Sequence, residues 1–281
     1  MTTNIKKEIP VKILVGLLSL VASLTAVNAQ AEALDILGPV PEVRHGLIQG
    51  YMHGEPPLNS ALFVPAPPAE ESARQRADTA ASEALRSLEG SPRWEMAARD
   101  ADLQFPAAAS IFSCALNVAV TEATTPALYR LLHRSLTDFG LATYPAKNAY
   151  QRPRPFMING EAICTPEDEE LLRTDGSYPS GHSAIGWGWA LMLSQLAPER
   201  AEPILARGRD YAQSRMVCNV HWMSDTVAGM AVGAAAFARL QNNALFQATV
   251  TAARAELLSS NATRPDAESC DQETAALASQ G

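Results

Sequence analysis

Beyond residue 29 the sequence holds one lysine, Lys147, against eighteen arginines. Long apolar runs are missing there too. No later stretch reaches 18 uninterrupted apolar residues, which excludes a membrane-spanning helix and stable membrane insertion in that part of the chain. The nearest, "TVAGMAVGAAAFARL", is rich in small residues and suits a tightly packed core helix. Period-2 alternation, hairpin signals and internal repeats are absent, so sheet and solenoid architectures are excluded. The formal net charge is −8, and −10 once the first 29 residues are removed, which argues against nucleic acid or an anionic membrane as a partner. The four cysteines, Cys114, Cys164, Cys218 and Cys270, lie too far apart to read as a zinc site. In an oxidising compartment they form up to two disulfides, with all three pairings open.

The first residues do not read as part of a fold. Lys6, Lys7 and Lys12 precede an apolar run from Ile13 to Val27, and Val27-Asn28-Ala29 places small residues at −3 and −1. This predicts a cleaved signal peptide over 1–29, with Ala31 as the alternative cleavage point. As a membrane anchor the run is too short, since spanning takes ~20 residues. Export to the periplasm or beyond leaves 252 residues, enough for one well-filled core.

Residues 30–69 are Pro- and Gly-rich and read as an extended arm. Helical patterns follow almost throughout. "ESARQRADTAASEALRSLEG" is a strong helix former closed by Gly90, and Ser91-Pro92 and Thr125-Pro126 are start signals. After the second, Leu128, Leu131, Leu132, Leu136 and Phe139 mark a buried helix face. Pro145 is expected to kink or end that helix before Lys147, and "RPRP" to force extended chain. Further helices are expected over 180–196, 201–215, 221–241 and 243–258, and a flexible tail over 259–281. The reading is an all-α protein with a single helical domain at 70–258.

Three clusters carry chemistry. The first is Lys147 with Arg154-Pro155 seven residues on. A chain that otherwise uses arginine keeps one compact ammonium there, while Arg154 offers a planar fork for an oxyanion. The second is Pro179-Ser180-Gly181-His182, where Ser180 and Gly181 open a helix whose free N–H groups form an anion site. The third is Ser214-Arg215, then His221, then Asp225. Arg215 follows Ile204, Leu205, Gly208 and Tyr211 at helical spacing, so its face is buried and needs an anionic partner. His221 and Asp225, four apart, are expected on one helical face. The carboxylate then takes the Nδ1 proton and leaves Nε2 free as a nucleophile.

Lys147-x6-Arg154-Pro155, Pro179-Ser180-Gly181-His182 and Ser214-Arg215-x5-His221-x3-Asp225 resemble the three-part signature of the type 2 phosphatidic acid phosphatase superfamily. "PRWEMAARDADL", "GSYPSGHSAIGW" and "SRMVCNVHWMSD" also resemble its bacterial class A non-specific acid phosphatases. The similarity covers most of 48–245 and departs at Asn219, where glycine is expected.

The resemblance implies a phosphatase/haloperoxidase-like helical bundle acting on phosphomonoesters without metal or cofactor, with phosphate transfer to alcohols as a side activity. It implies His221 as nucleophile, Asp225 orienting it, and His182 as general acid and base. Lys147, Arg154, Ser180, Gly181 and Arg215 then hold the phosphate. With His182 near the ordinary histidine value of ~6.5, an acidic optimum is expected. The chain is expected to self-associate as a dimer or higher. A vanadate-dependent haloperoxidase and a non-catalytic periplasmic phosphate-binding protein are the alternatives.

Overall fold

Much of the Pro- and Gly-rich arm is irregular, and several of its backbone groups around residues 48–52 are satisfied by the side chains of a helix. In the computed structural model, which describes residues 36–44, 46–259 and 262–279, the helix Pro126–Leu141 presents Arg134, Thr137 and Asp138 to the arm. Arg134 donates to the Gln49 and Gly50 carbonyls, and Thr137 donates to that of Ile48. The Asp138 carboxylate accepts from Tyr51 N and Met52 N at 2.7 and 3.0 Å. Spaced i, i+3, i+4, these side chains share one face and replace the pairing that the arm lacks. A short antiparallel pair, β1 (Glu42–Arg44) and β2 (Leu47–Ile48), corrects the expectation of no hairpin. Gly46, at φ +76°, makes its turn. The signal-peptide segment 1–29 lies outside the described residues.

The body, within the compact unit Val40–Gly281, is helical. Ser72 caps the helix α1 (Ala73–Ala84), and Ser91 caps α2 (Pro92–Arg99) as its own position predicts. Thr125 does not cap Pro126–Leu141; instead the Glu256 carboxylate accepts from Ala127 N and Leu128 N. The expected core face holds, with Leu128, Leu131, Leu132, Leu136 and Phe139 all buried. Each such side chain contributes about 1.5–3 kcal/mol on leaving water.

Pro145 behaves differently from expectation. The long helix ends at Leu141, and Pro145 stands in the first turn of a new helix, Tyr144–Tyr150, which carries Lys147. Proline there gives up only an N–H that has no intrahelical partner. The "RPRP" stretch is extended until Pro155 opens the short helix Pro155–Asn159.

Three helices form the centre. Gly181–Leu196 packs on both Ala201–Val217 and Met223–Leu240. Glycine allows the closeness: a Cβ at Gly229 would collide with the Ser180 carbonyl, and one at Gly233 with that of Ala184. Met223–Leu240 starts later than expected, so His221 precedes it.

Cys114 pairs with Cys270 and Cys164 with Cys218, which selects one of the three pairings. The first disulfide corrects the expected flexible tail. Residues Ala267–Ala278 form a helix, tied by Cys270 and by a 3.3 Å Arg207–Glu273 ion pair. Among the described residues no helix is long and apolar enough to cross a membrane.

Candidate active site

His221 sits on the turn between Ala201–Val217 and Met223–Leu240. Val220 N and His221 N both donate to the Arg215 carbonyl at 3.2 Å, so the turn folds back on the helix carrying Arg215. Asp225 lies in the first turn of the next helix, where its Oδ2 accepts from Trp222 N at 2.8 Å. The two residues therefore meet across a helix start and not along one face, with His221 Nδ1 3.5 Å from Asp225 Oδ2. That separation is close for a charge but long for a hydrogen bond, and Nδ1 has no hydrogen-bond partner.

The second cluster meets the third through the backbone, because Ser180 N donates to the Asp225 carbonyl at 3.0 Å. Ser180 caps Gly181–Leu196. Its Oγ accepts from Ser183 N and Ser183 Oγ, which leaves its own hydrogen free to donate. At Gly181 the nearest protein atom to an added Cβ is Thr143 Oγ1 at 3.7 Å, so packing does not demand glycine there. His182 Nε2 lies 3.0 Å from the Ala101 carbonyl, which only accepts. In the neutral ring Nε2 therefore carries the proton, and Nδ1 is the nitrogen that takes up a second.

The first cluster completes the group. Arg154 Nη1 reaches the Val220 carbonyl at 3.0 Å and His221 Nε2 at 3.1 Å. Lys147 Nζ donates to Asp175 Oδ2 at 3.0 Å and to the Gly176 carbonyl at 2.6 Å. Arg215 is 1 % exposed, and its Nε and Nη1 are buried with no hydrogen-bond partner. Contacts thus join Lys147, Arg154 and His221, and each imidazole feels the charge of Lys147, Arg154 and Arg215.

A family model for the PAP2 superfamily matches residues 103–245, a span that includes all eight of the predicted site residues. The chain belongs to the PAP2 superfamily. It is 41 % identical over 215 residues to a non-specific acid phosphatase of Salmonella typhimurium, covering 76 % of this chain and 86 % of that one. A non-specific acid phosphatase of Providencia stuartii is 41 % identical over 207 residues, covering 73 % and 84 %. An acid phosphatase of Zymomonas mobilis is 38 % identical over 207 residues, covering 74 % and 77 %.

Within this PAP2 domain, Asn219 shows why glycine was expected beside His221. Its φ is +60°, a left-handed conformation that asparagine tolerates better than most residues. Its amide pairs with that of Asn159 at 3.0 and 3.1 Å and also donates to the Glu161 and Ala162 carbonyls. The next residue back, Cys218, is held by the disulfide to Cys164.

Three contributors escaped the sequence reading. Asp175 Oδ2 bridges Lys147 and Arg154, at 3.0 and 3.1 Å. Arg152 in "RPRP" reaches Asp225 Oδ1 at 2.5 Å. Ala101, in "RDADL", holds His182. Only the proximity of Arg152 to Arg154 in the chain could have drawn attention, since the other partners are distant in sequence.

The electrostatics are those of crowded positive charge. Burial and Arg154 push Lys147 down to about 8, with Asp175 opposing. Burial lowers Arg215 to about 10. Burial, then Arg154, Lys147 and Arg215, hold His221 well below the ordinary histidine range. Burial and Arg215 do the same to His182. Burial raises the Asp225 carboxyl, with Arg152 pulling it down.

Proposed function

We propose that this protein is an exported acid phosphatase that hydrolyses phosphomonoesters through a phosphohistidine at His221, using protein cations in place of metal ions. The observation that carries the proposal is Arg215: a buried guanidinium whose Nε and Nη1 have no acceptor, within the same electrostatic group as Arg154 and both imidazoles. Leaving such a cation unpaired costs several kcal/mol, and a tetrahedral oxyanion supplies the missing acceptors.

In this reading Lys147, Arg154 and Arg215, the free Ser180 hydroxyl hydrogen and the Gly181 N–H hold the phosphoryl oxygens. His221 Nε2 attacks phosphorus as the ester P–O bond breaks, and His182 gives its second proton to the departing alkoxide. Water then attacks the phosphohistidine, the P–N bond breaks, and His182 takes the water's proton. The positive cluster stabilises the charge moving through the phosphoryl oxygens, the part that metal ions take in other phosphatases. An arriving phosphate offsets the cations that depress His182, so the substrate itself helps to protonate its acid.

The test is turnover of p-nitrophenyl phosphate and of an alkyl phosphate by purified protein, with and without a chelator, across acidic and neutral pH. Release of both alcohols, unchanged by the chelator, is expected. No release, a requirement for added metal, or halide oxidation with vanadate and peroxide in place of hydrolysis overturns the reading.

A further inference from the structure

Behind Asp225 lies a buried ionic network built partly by a segment outside the PAP2 match. Arg152, 7 % exposed, donates to Asp225 Oδ1 at 2.5 Å and to Ser224 Oγ at 2.8 Å. Its other nitrogen donates to Asp78 Oδ2 and Gln75 Oε1, both at 2.7 Å. Asp78, 1 % exposed, also accepts from Ser224 N at 2.8 Å and Ser224 Oγ at 2.5 Å. Asp78 and Gln75 belong to α1 (Ala73–Ala84), ahead of residues 103–245. The ring of Trp222 lies over Arg152, 5.4 Å from its guanidinium carbon, and its Nε1 donates to the Pro153 carbonyl.

We propose that Arg152, held by Asp78, is the positioning residue for Asp225. It grips Oδ1, so that Oδ2 is presented to His221, and it keeps that carboxylate ionised at the acid pH where the enzyme works. This rests on reading Asp225 as the partner of His221. Arg152 is a positioning and not a catalytic residue, because both its terminal nitrogens are engaged with Asp225, Ser224, Gln75 and Asp78 and not with Lys147, Arg154 or Arg215.

The physical case is one of charge and geometry. A carboxylate with no exposed surface stays ionised only if matched, and a bare His221–Asp225 pair supplies a neutral ring. The groups that bear on Asp225 are His221 at 3.5 Å, Arg152 at 2.5 Å, and also Lys147, Arg154, Tyr178 and the Ser177 hydroxyl, which is hydrogen-bonded to the Pro153 carbonyl. Lys147 and Arg154 already share Asp175, which leaves Arg152 as the cation in direct contact. Asp78 in turn fixes Arg152 from the opposite side. Arg152 thus sits between two buried carboxylates, one on each terminal nitrogen.

The experiment compares Arg152→Met, Arg152→Lys, Asp78→Asn and Asp225→Asn with the unaltered enzyme. Arg152→Met is expected to lower kcat about tenfold or more, as loss of a hydrogen-bonding partner behind a catalytic group commonly does, with KM and inhibition by inorganic phosphate nearly unchanged. The acid limb of its kcat profile moves up by about one pH unit or more, because Asp225 loses its cation. Arg152→Lys brings that limb back toward its original position, and Asp78→Asn gives the same changes in weaker form. If Arg152→Met does not fold, Asp78→Asn and Arg152→Lys carry the test. An unmoved acid limb in the folded variants, or a loss confined to KM, overturns the proposal. If Asp225→Asn itself leaves kcat intact, the fault lies in the underlying reading of Asp225.

Discussion

Arg154 Nη1 lies 3.1 Å from Nε2 of His221. A guanidinium has donors only, so Nε2 must offer its lone pair and Nδ1 must carry the ring proton. That tautomer points the proton toward Asp225 and the lone pair toward the three cations, the orientation that attack on phosphorus needs. Burial and the same cations keep the ring neutral by lowering its proton affinity.

Because burial and, after it, the neighbouring cations depress both imidazoles, an added anion should relieve the second part of the effect. In the free protein His182 and His221 are expected to titrate below the ordinary histidine range. Their neutral forms are therefore favoured on folding, and the associated stability, present above ~6.5, is lost as pH falls toward the depressed values. Saturating inorganic phosphate should move the His182 titration to higher pH in proton NMR. A curve that phosphate leaves in place contradicts the electrostatic account.

Lys147 provides a compact charge 3.0 Å from Asp175 Oδ2, the oxygen it shares with Arg154. Lys147→Arg should lower kcat/KM at least about tenfold, the equivalent of about 1.4 kcal/mol. Unchanged kinetics would mean that any cation serves.

His182 is needed where the leaving group is a poor one. His182→Ala should therefore slow alkyl phosphates far more than p-nitrophenyl phosphate, whose phenolate departs without protonation. Equal losses on the two would remove His182 from the proton path.

Asn219 couples backbone shape to side-chain bonding. Asn219→Gly should keep kcat within about twofold while costing about 1–2 kcal/mol of stability in urea melts, since it loses only the amide contacts. Asn219→Val should cost more and lower kcat, because a β-branched residue resists φ +60° on the turn that carries His221. A valine variant as stable as the glycine one would refute this.

What the sequence made legible were features written at short range. The helical spacing from Leu128 to Phe139, the cap at Ser91, and the three clusters each declare themselves within a few residues. Features made by distant partners were not. Asp78 and Arg152 are 74 positions apart, and Lys147 and Asp175 are 28 apart. The Glu256 cap and the disulfide that orders Ala267–Ala278 bridge still longer separations. His221 and Asp225 stand 3.5 Å apart, yet not along one helical face as the spacing suggested, because the helix starts only at Met223, where the Asp225 carboxylate accepts from Trp222 N. The depressed His182 was equally hidden, since burial produces it first and cations from two other chain segments add to it.

The most direct test is to quench the reaction with a phosphate-labelled substrate during turnover, under alkaline conditions that preserve phosphoramidates, and to map the label. The account predicts a phosphohistidine on the peptide containing His221 in the unaltered enzyme and none in His221→Ala. Label that persists in His221→Ala, or that resides on another residue of the unaltered protein, would contradict it.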